Sequence, residues 1–251
     1  LSALLSCPTF IFAQPASISI PQSGVTGVVK RHANFNSKYV DPRHVDVWLP
    51  PDYERNPSAR FPVIYMHDGQ NLFHPKTSYT GIDWGIDETM TRLINEGKIR
   101  AAIVIGIWNT PKRAFEYMPQ QAVAGADVQF LKDAPVLPRE QIISDNYLKF
   151  LVTELKPFID ATYRTLPGRA DTFIMGSSMG GLISLYAVCE YPHVFAGVGC
   201  LSPHWPARGG IMVEYLEQGL PEAGSHRLYF DYGTRTTDAL YEPYQIQVDR
   251  V

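Results

Sequence analysis

The chain has 251 residues, 45% of them hydrophobic and 19% charged, with a formal net charge of −3. That length suits one large α/β core better than two small domains. The charge is small and no Lys/Arg cluster occurs, which excludes the electrostatic footprint of a nucleic-acid or anionic-membrane binder.

Residues 1–13, LSALLSCPTFIFA, are apolar, and Ile11 and Ala13 fall at the small-residue cleavage positions. They read as the remnant of a secretory signal peptide whose charged start is absent. The run is shorter than the ~20 apolar residues of a membrane-spanning helix. Residues 14–251 are then the single domain of a secreted or periplasmic protein. Its two cysteines, Cys189 and Cys200, are too few for a disulfide framework and lack zinc-ligand spacing, so both read as small core residues.

Apolar runs predict strands at Val45–Leu49, Val63–His67, Ala102–Trp108, Thr172–Met175, Ala196–Leu201 and Leu228–Tyr232. Several are nearly continuous in Val, Ile, Phe and Tyr, which suits strands covered on both faces. Between them, IDETMTRLINEGK has an acidic start and a closing Gly, the marks of a helix. SDNYLKFLVTELKPFIDATY places Tyr147, Phe150, Leu151, Leu155, Phe158 and Ile159 at helical spacing, and Pro157 is expected to kink or break it. The Gln-, Pro- and Ala-rich stretch Arg113–Arg139 reads as a long loop above the active-site edge. A third helix follows Ser178. Strand–helix alternation gives a doubly wound, mostly parallel α/β sheet.

Gly176-Ser177-Ser178-Met179-Gly180 fits G-x-S-x-G between the strand TFIM and the helix LISLYAV. There a sharp turn lifts a serine above the sheet edge, and glycines leave room for the crossing. The register makes Ser178 the nucleophile. The new helix aims its first N–H groups at the site, so Met179 N–H is one oxyanion donor. The second is expected from the loop after an early central strand. YMHDGQN lies there, with Gly69 allowing close approach and Gln70 N–H as the donor. His67 and Asp68 read as braces of this loop, and no ligand set for a metal accompanies them.

GSSMGGLISLYAVCEYPHVF resembles the putative-esterase family that includes enterochelin-esterase-like proteins and relatives of the first carbohydrate esterase family. VIYMHDGQNLF, IDWGIDETM, RAFEYMP, LSPHWP and YFDYGT resemble its other blocks, in the same order. The resemblance runs from about Val45 to the end of the chain. It implies an α/β-hydrolase fold and ester hydrolysis by a Ser, acid, His triad, with no cofactor.

The acid is expected after the strand in RLYFDYG. Asp238 stands just past it, with Asp231 inside the strand and Glu242 further on as alternatives. In this fold the histidine follows the acid, yet none of the seven histidines follows His226. His226 and His193 fall at the far edge of the sheet. His204 follows GVGCLSP at the edge of the elbow, where it is expected to line the substrate pocket with Trp205 as an apolar wall. The chain lacks an initiating Met and ends within a predicted helix, so it reads as truncated at the C-terminus, with its histidine beyond Val251. Two functions are compatible with these residues. One is a secreted serine esterase acting on small-molecule or polysaccharide-linked esters: acetyl or feruloyl esters, or catecholate siderophore lactones. The other is a non-catalytic binding protein on the same fold. Trp84, Trp108 and Trp205 could stack on sugar or aromatic rings, and they suit a core equally well.

Overall fold

The computed structural model of the chain describes residues 16–19, 24–125, 138–235 and 240–251. The apolar segment 1–13 lies outside these residues. Eight strands form one sheet: β1 (Ile18–Ser19), β2 (Val28–Phe35), β3 (Arg43–Leu49), β4 (Val63–His67), β5 (Ile103–Ile107), β6 (Thr172–Ser177), β7 (Gly197–Leu201) and β8 (Arg227–Asp231). Their order across the sheet is β1-β2-β3-β5-β4-β6-β7-β8.

The six expected strands are all present, with ends shifted by at most two residues. Most of the pairings are parallel, as expected, and the rest are antiparallel. The strands from β5 to β8 run parallel, but β3 is antiparallel to both β2 and β5, and β1 to β2. The sheet is mixed. β1 and β2 escape a search for apolar runs for a physical reason. β2 reads VVKRHANF, and its buried residues Val29, His32 and Phe35 stand three apart between exposed or partly exposed ones, with a shift of register between His32 and Phe35, so no apolar run forms. By contrast β5, IVIGI, is buried at every residue.

Helices cover one face thickly: α2 (Arg113–Tyr117), α3 (Gln120–Gly125), α4 (Ser144–Phe150), α5 (Lys156–Thr162), α6 (Met179–Glu190), α7 (Ile211–Gly219) and α8 (Glu242–Val248). On the other face, α1 (Ile86–Asn95) packs Ile86, Met90 and Ile94 against Trp48, Met66, Leu72 and Val104. Beside it an apolar groove of about 260 Å³ stays open, lined by Ile64, Phe173, Met175, Gly199, Leu228 and Tyr229. No helix among the described residues is long and apolar enough to cross a membrane.

Two local expectations change. Arg113–Arg139 is not all loop, because α2 and α3 begin it. Pro157 neither breaks nor ends its helix. A single wide turn, Leu151–Leu155, precedes it, and Lys156 N–H closes that turn on Leu151 O. Pro157 then lies in the first turn of α5, and the wide turn before it accommodates the N–H that proline lacks.

At the start of α1, Asp87 is fully buried and its Oδ2 accepts Thr26 N–H at 2.5 Å. Carboxylate oxygens of Asp83, Asp87 and Glu88 lie within 4.8 Å of one another. Burial, helped by Glu88, pushes the Asp87 carboxyl up to about 7 from its ordinary 3.8. Between those values the folded chain holds a proton that the unfolded chain has lost, so stability falls as pH rises through the window. Asp87→Asn should therefore flatten that fall. Urea midpoints of wild type and variant at pH 5 and pH 8 check it. The variant should gain on the wild type at pH 8, and an equal difference at both pH values would contradict the assignment.

Candidate active site

Ser178 lies between the last residue of β6 and the first of α6, at φ 58° and ψ −122°. A non-glycine residue there is strained, and it persists only where its surroundings over-determine it. Here they do. Ser178 N–H donates to Leu201 O at 2.9 Å, and its carbonyl accepts from Gly181 at 3.0 Å and from His204 N–H at 3.1 Å. The glycines make the crossing possible. A Cβ on Gly176 would stand 2.7 Å from the Gly180 carbonyl, and one on Gly181 would stand 3.0 Å from Pro203. Ser177 belongs to the strand itself, so the strained, lifted serine is Ser178.

The loop after β4 meets this turn. Asp68 adopts a left-handed conformation at φ 58°, followed by a tight helical turn, Gly69–Asn71. A Cβ on Gly69 would lie 2.4 Å from the Gly106 carbonyl carbon, so β5 presses directly on the loop. A Cβ on Gly180 would lie 3.4 Å from both Asp68 Oδ2 and His67 Cβ. The start of α6 therefore abuts the His67–Asp68 segment. Gln70 and Met179 both stand in the first turn of a helix, where backbone N–H groups lack intrahelical acceptors. The Gln70 side chain points elsewhere, its Oε1 accepting Asn109 N–H at 3.2 Å.

His67 and Asp68 brace this loop. His67 is fully buried, its Nδ1 is 2.8 Å from Tyr147 Oη, and its ring packs 5.2 Å from that of Tyr117. Burial, with Arg113 and Arg43 adding to it against the opposing pull of Asp68, lowers its pKa to about 3. The imidazole is thus neutral at physiological pH. Asp68 accepts two bonds from Arg113, at 2.7 and 2.8 Å, and one from Asn109 Nδ2 at 2.7 Å.

His204 stands at the elbow, tied to Ser178 through its backbone, with Nδ1 2.7 Å from Tyr241 Oη. Trp205 is fully buried, donates to Gln245 Oε1 at 3.0 Å and packs on Phe230. Its ring belongs to the core rather than to an open wall. Asp231 ends β8 at the catalytic edge, and its Oδ1 accepts Ser202 N–H at 2.9 Å. Glu242 is exposed at the start of α8. Asp238 lies outside the described residues. His226 precedes β8 at the opposite end, held by Pro192 O at 2.9 Å and by Arg169. Trp108 donates to Asp46 at 2.8 Å beneath the Arg31 guanidinium.

The sequence left Asn109, Arg113 and Tyr241 unread. Arg113 and Glu116 fall in the stretch read as a loop, where charged residues are expected to face solvent. Each instead has a distant partner, Asp68 and Arg43. The only hint was the family-like block RAFEYMP.

Residues 37–241 match a family model described as Putative esterase. The Bacillus subtilis (strain 168) protein YbbA is 26% identical over 192 residues, which are 76% of this chain and 68% of YbbA. The enterobactin esterase FES of Shigella flexneri superposes with a TM-score of 0.64 at 18% identity, over 91% of this chain and 53% of that one. This chain thus spans about half the length of that enzyme. A ferulic acid esterase superposes with a TM-score of 0.60 at 19% identity, over 88% of this chain and 84% of the other. At such identities the likeness of the solved structures is one of fold.

Proposed function

The chain belongs to the putative-esterase family, and on that premise we propose that it hydrolyses carboxylic esters with Ser178 as nucleophile. The observation that carries this reading is the strained Ser178 on a strand–helix turn, beside two helix starts with free N–H donors. The Ser178 hydroxyl oxygen attacks the ester carbon while its proton passes to a base. The N–H groups of Met179 and Gln70 hold the oxyanion. The bond to the alcohol breaks as the base returns that proton to the leaving alkoxide. Water then repeats the sequence on the acyl-enzyme, which frees the acid and restores the serine.

The base in this proposal is a histidine oriented by an acid, Asp238, with Asp231 as the alternative. His67 is sealed in the core and His226 stands at the far edge, so neither suits the role. β8 is an edge strand, with Leu228 and Tyr229 exposed at 39% and 57% beside the apolar groove. The apolar residues 1–13 support secretion.

The substrate class in this proposal is an acetyl or feruloyl ester on polysaccharide, or a catecholate siderophore lactone. It draws on the names of the enterobactin and ferulic acid esterases that share the fold. His204 tests it. As a pocket residue tied to the elbow, its loss should reduce kcat/KM for a feruloyl ester more than for p-nitrophenyl acetate. Loss of a base would depress both by a common factor of ~10⁴ or more. Equal losses of that size would make His204 the base. An active-site-titrated wild type that cleaves neither ester would sink the esterase reading.

A further inference from the structure

Arg113 lies on α2, outside the strand ends and the elbow that carry the chemistry. Resting on the esterase reading, we propose that Arg113 is a positioning residue for the oxyanion hole, acting through its grip on Asp68.

Three observations converge on Asp68. Its backbone is left-handed at φ 58°, a conformation that Asp adopts where its short polar side chain is held by hydrogen bonds. The anchor is a planar fork. Arg113 Nε and Nη2 reach the two carboxylate oxygens at 2.7 and 2.8 Å, and Asn109 Nδ2 adds a third bond at 2.7 Å. A bidentate fork fixes orientation as well as distance. The residue two places on, Gln70, supplies the proposed donor.

The same carboxylate lies near both halves of the hole. Asp68 Oδ2 lies 3.4 Å from where a Gly180 Cβ would stand, against the first turn of α6 that presents Met179 N–H. Asn109 ties the other side, with its side chain on Asp68 and its backbone N–H on Gln70 Oε1. Arg113 and Asn109 thus fix the loop, and the Asp68 carboxylate packs against the helix start.

Charge gives Arg113 a second duty. Asp68 is 3% exposed, and it sits where negative charge develops during attack. An uncompensated carboxylate there would oppose the oxyanion in a low-dielectric site. Arg113 supplies the compensating charge, and its ring contact with Tyr117, 5.0 Å from the guanidinium carbon, helps hold it in place.

The test compares wild type, Arg113→Met, Arg113→Lys and the double variant Arg113→Met/Asp68→Asn, with active sites titrated. The readouts are kcat and KM for p-nitrophenyl acetate, and the inhibition constant of an aryl trifluoromethyl ketone, which mimics the oxyanion adduct. Arg113→Met should lower kcat by ~10²-fold, the scale of one lost oxyanion donor, with KM within about twofold. The ketone should bind weaker by a similar factor. Arg113→Lys keeps the charge without the fork and should fall between. The double variant removes the stranded charge and should recover part of the loss. A residue with a purely structural role would lower the titratable fraction and leave the ketone's affinity per active site unchanged, and that result would overturn the proposal. If Arg113→Met fails to fold, Arg113→Lys at wild-type kcat and ketone affinity would overturn it equally. Wild type inactive on every ester would sink the esterase reading and this inference with it; active wild type with unaltered variants would sink this inference alone.

Discussion

Ser178→Ala should abolish ester turnover, by ~10⁴-fold or more, and leave the fold in place. Removing the nucleophile of a triad leaves only binding and the oxyanion hole, which supply a small residue of the rate. The turn itself survives, because it is held by backbone bonds, Ser178 N–H to Leu201 O and Gly181 and His204 N–H to Ser178 O, and not by the Ser178 hydroxyl. A fluorophosphonate probe should therefore attach to Ser178 in the wild type and fail to attach to the alanine variant. Ser177 is the control. It ends β6 in the strand ladder, paired with Leu201, and is not lifted towards substrate. Mass spectrometry placing the adduct on Ser177, or undiminished labelling of Ser178→Ala, would contradict the assignment. Tight binding of ester with neither labelling nor turnover would favour the binding-protein reading.

The parts of this site that were legible in the sequence are those whose cause is local. The elbow is one: glycines at fixed offsets from Ser178 are demanded by the crossing of β6 and α6, so they appear within a few residues. The YMHDGQN loop is another, because Gly69 must yield to β5 in a contact that no larger residue allows. Both faces of β4 and β5 are covered, so their runs are continuous and easily found. β2 carries Lys30 and Arg31 between its buried positions, and its pattern resembles a loop until β3 is placed beside it. The charged braces were invisible for a different reason. Asp68 and Arg113 are 45 residues apart, and Arg43 and Glu116 are 73 apart. Nothing local distinguishes those residues from solvated surface charge. Trp205 shows the opposite error. Its neighbours in the chain line the catalytic edge, but Gln245 and Phe230 enclose it, and that enclosure comes from α8 and β8.

The Arg43–Glu116 pair carries the largest expected effect on stability. Arg43 is 3% exposed and Glu116 fully buried, and two bonds of 2.9 and 2.6 Å join them. Burial pulls the guanidinium down, but its bonds and charge contact with Glu116 more than offset this, so Arg43 stays above its ordinary range. Its flanks are the rings of Tyr147 and Phe150, at 5.2 and 5.3 Å, which offer no hydrogen-bonding replacement for a carboxylate. Glu116→Gln strands that charge and should cost about 3–5 kcal/mol, a large share of the 5–15 kcal/mol that holds a typical domain together. Because α2 carries both Glu116 and Arg113, the same substitution should loosen the grip on Asp68 and lower kcat as well. Arg43→Met combined with Glu116→Leu removes the charges together and keeps the volume, so it should recover most of the lost stability. It need not recover kcat to the same degree, since α2 would be held by packing alone. Urea unfolding of the three proteins, followed by tryptophan fluorescence, decides the matter. A loss below about 1 kcal/mol for Glu116→Gln, the range of exposed pairs, would mean that water reaches this pair and that α2 is anchored elsewhere.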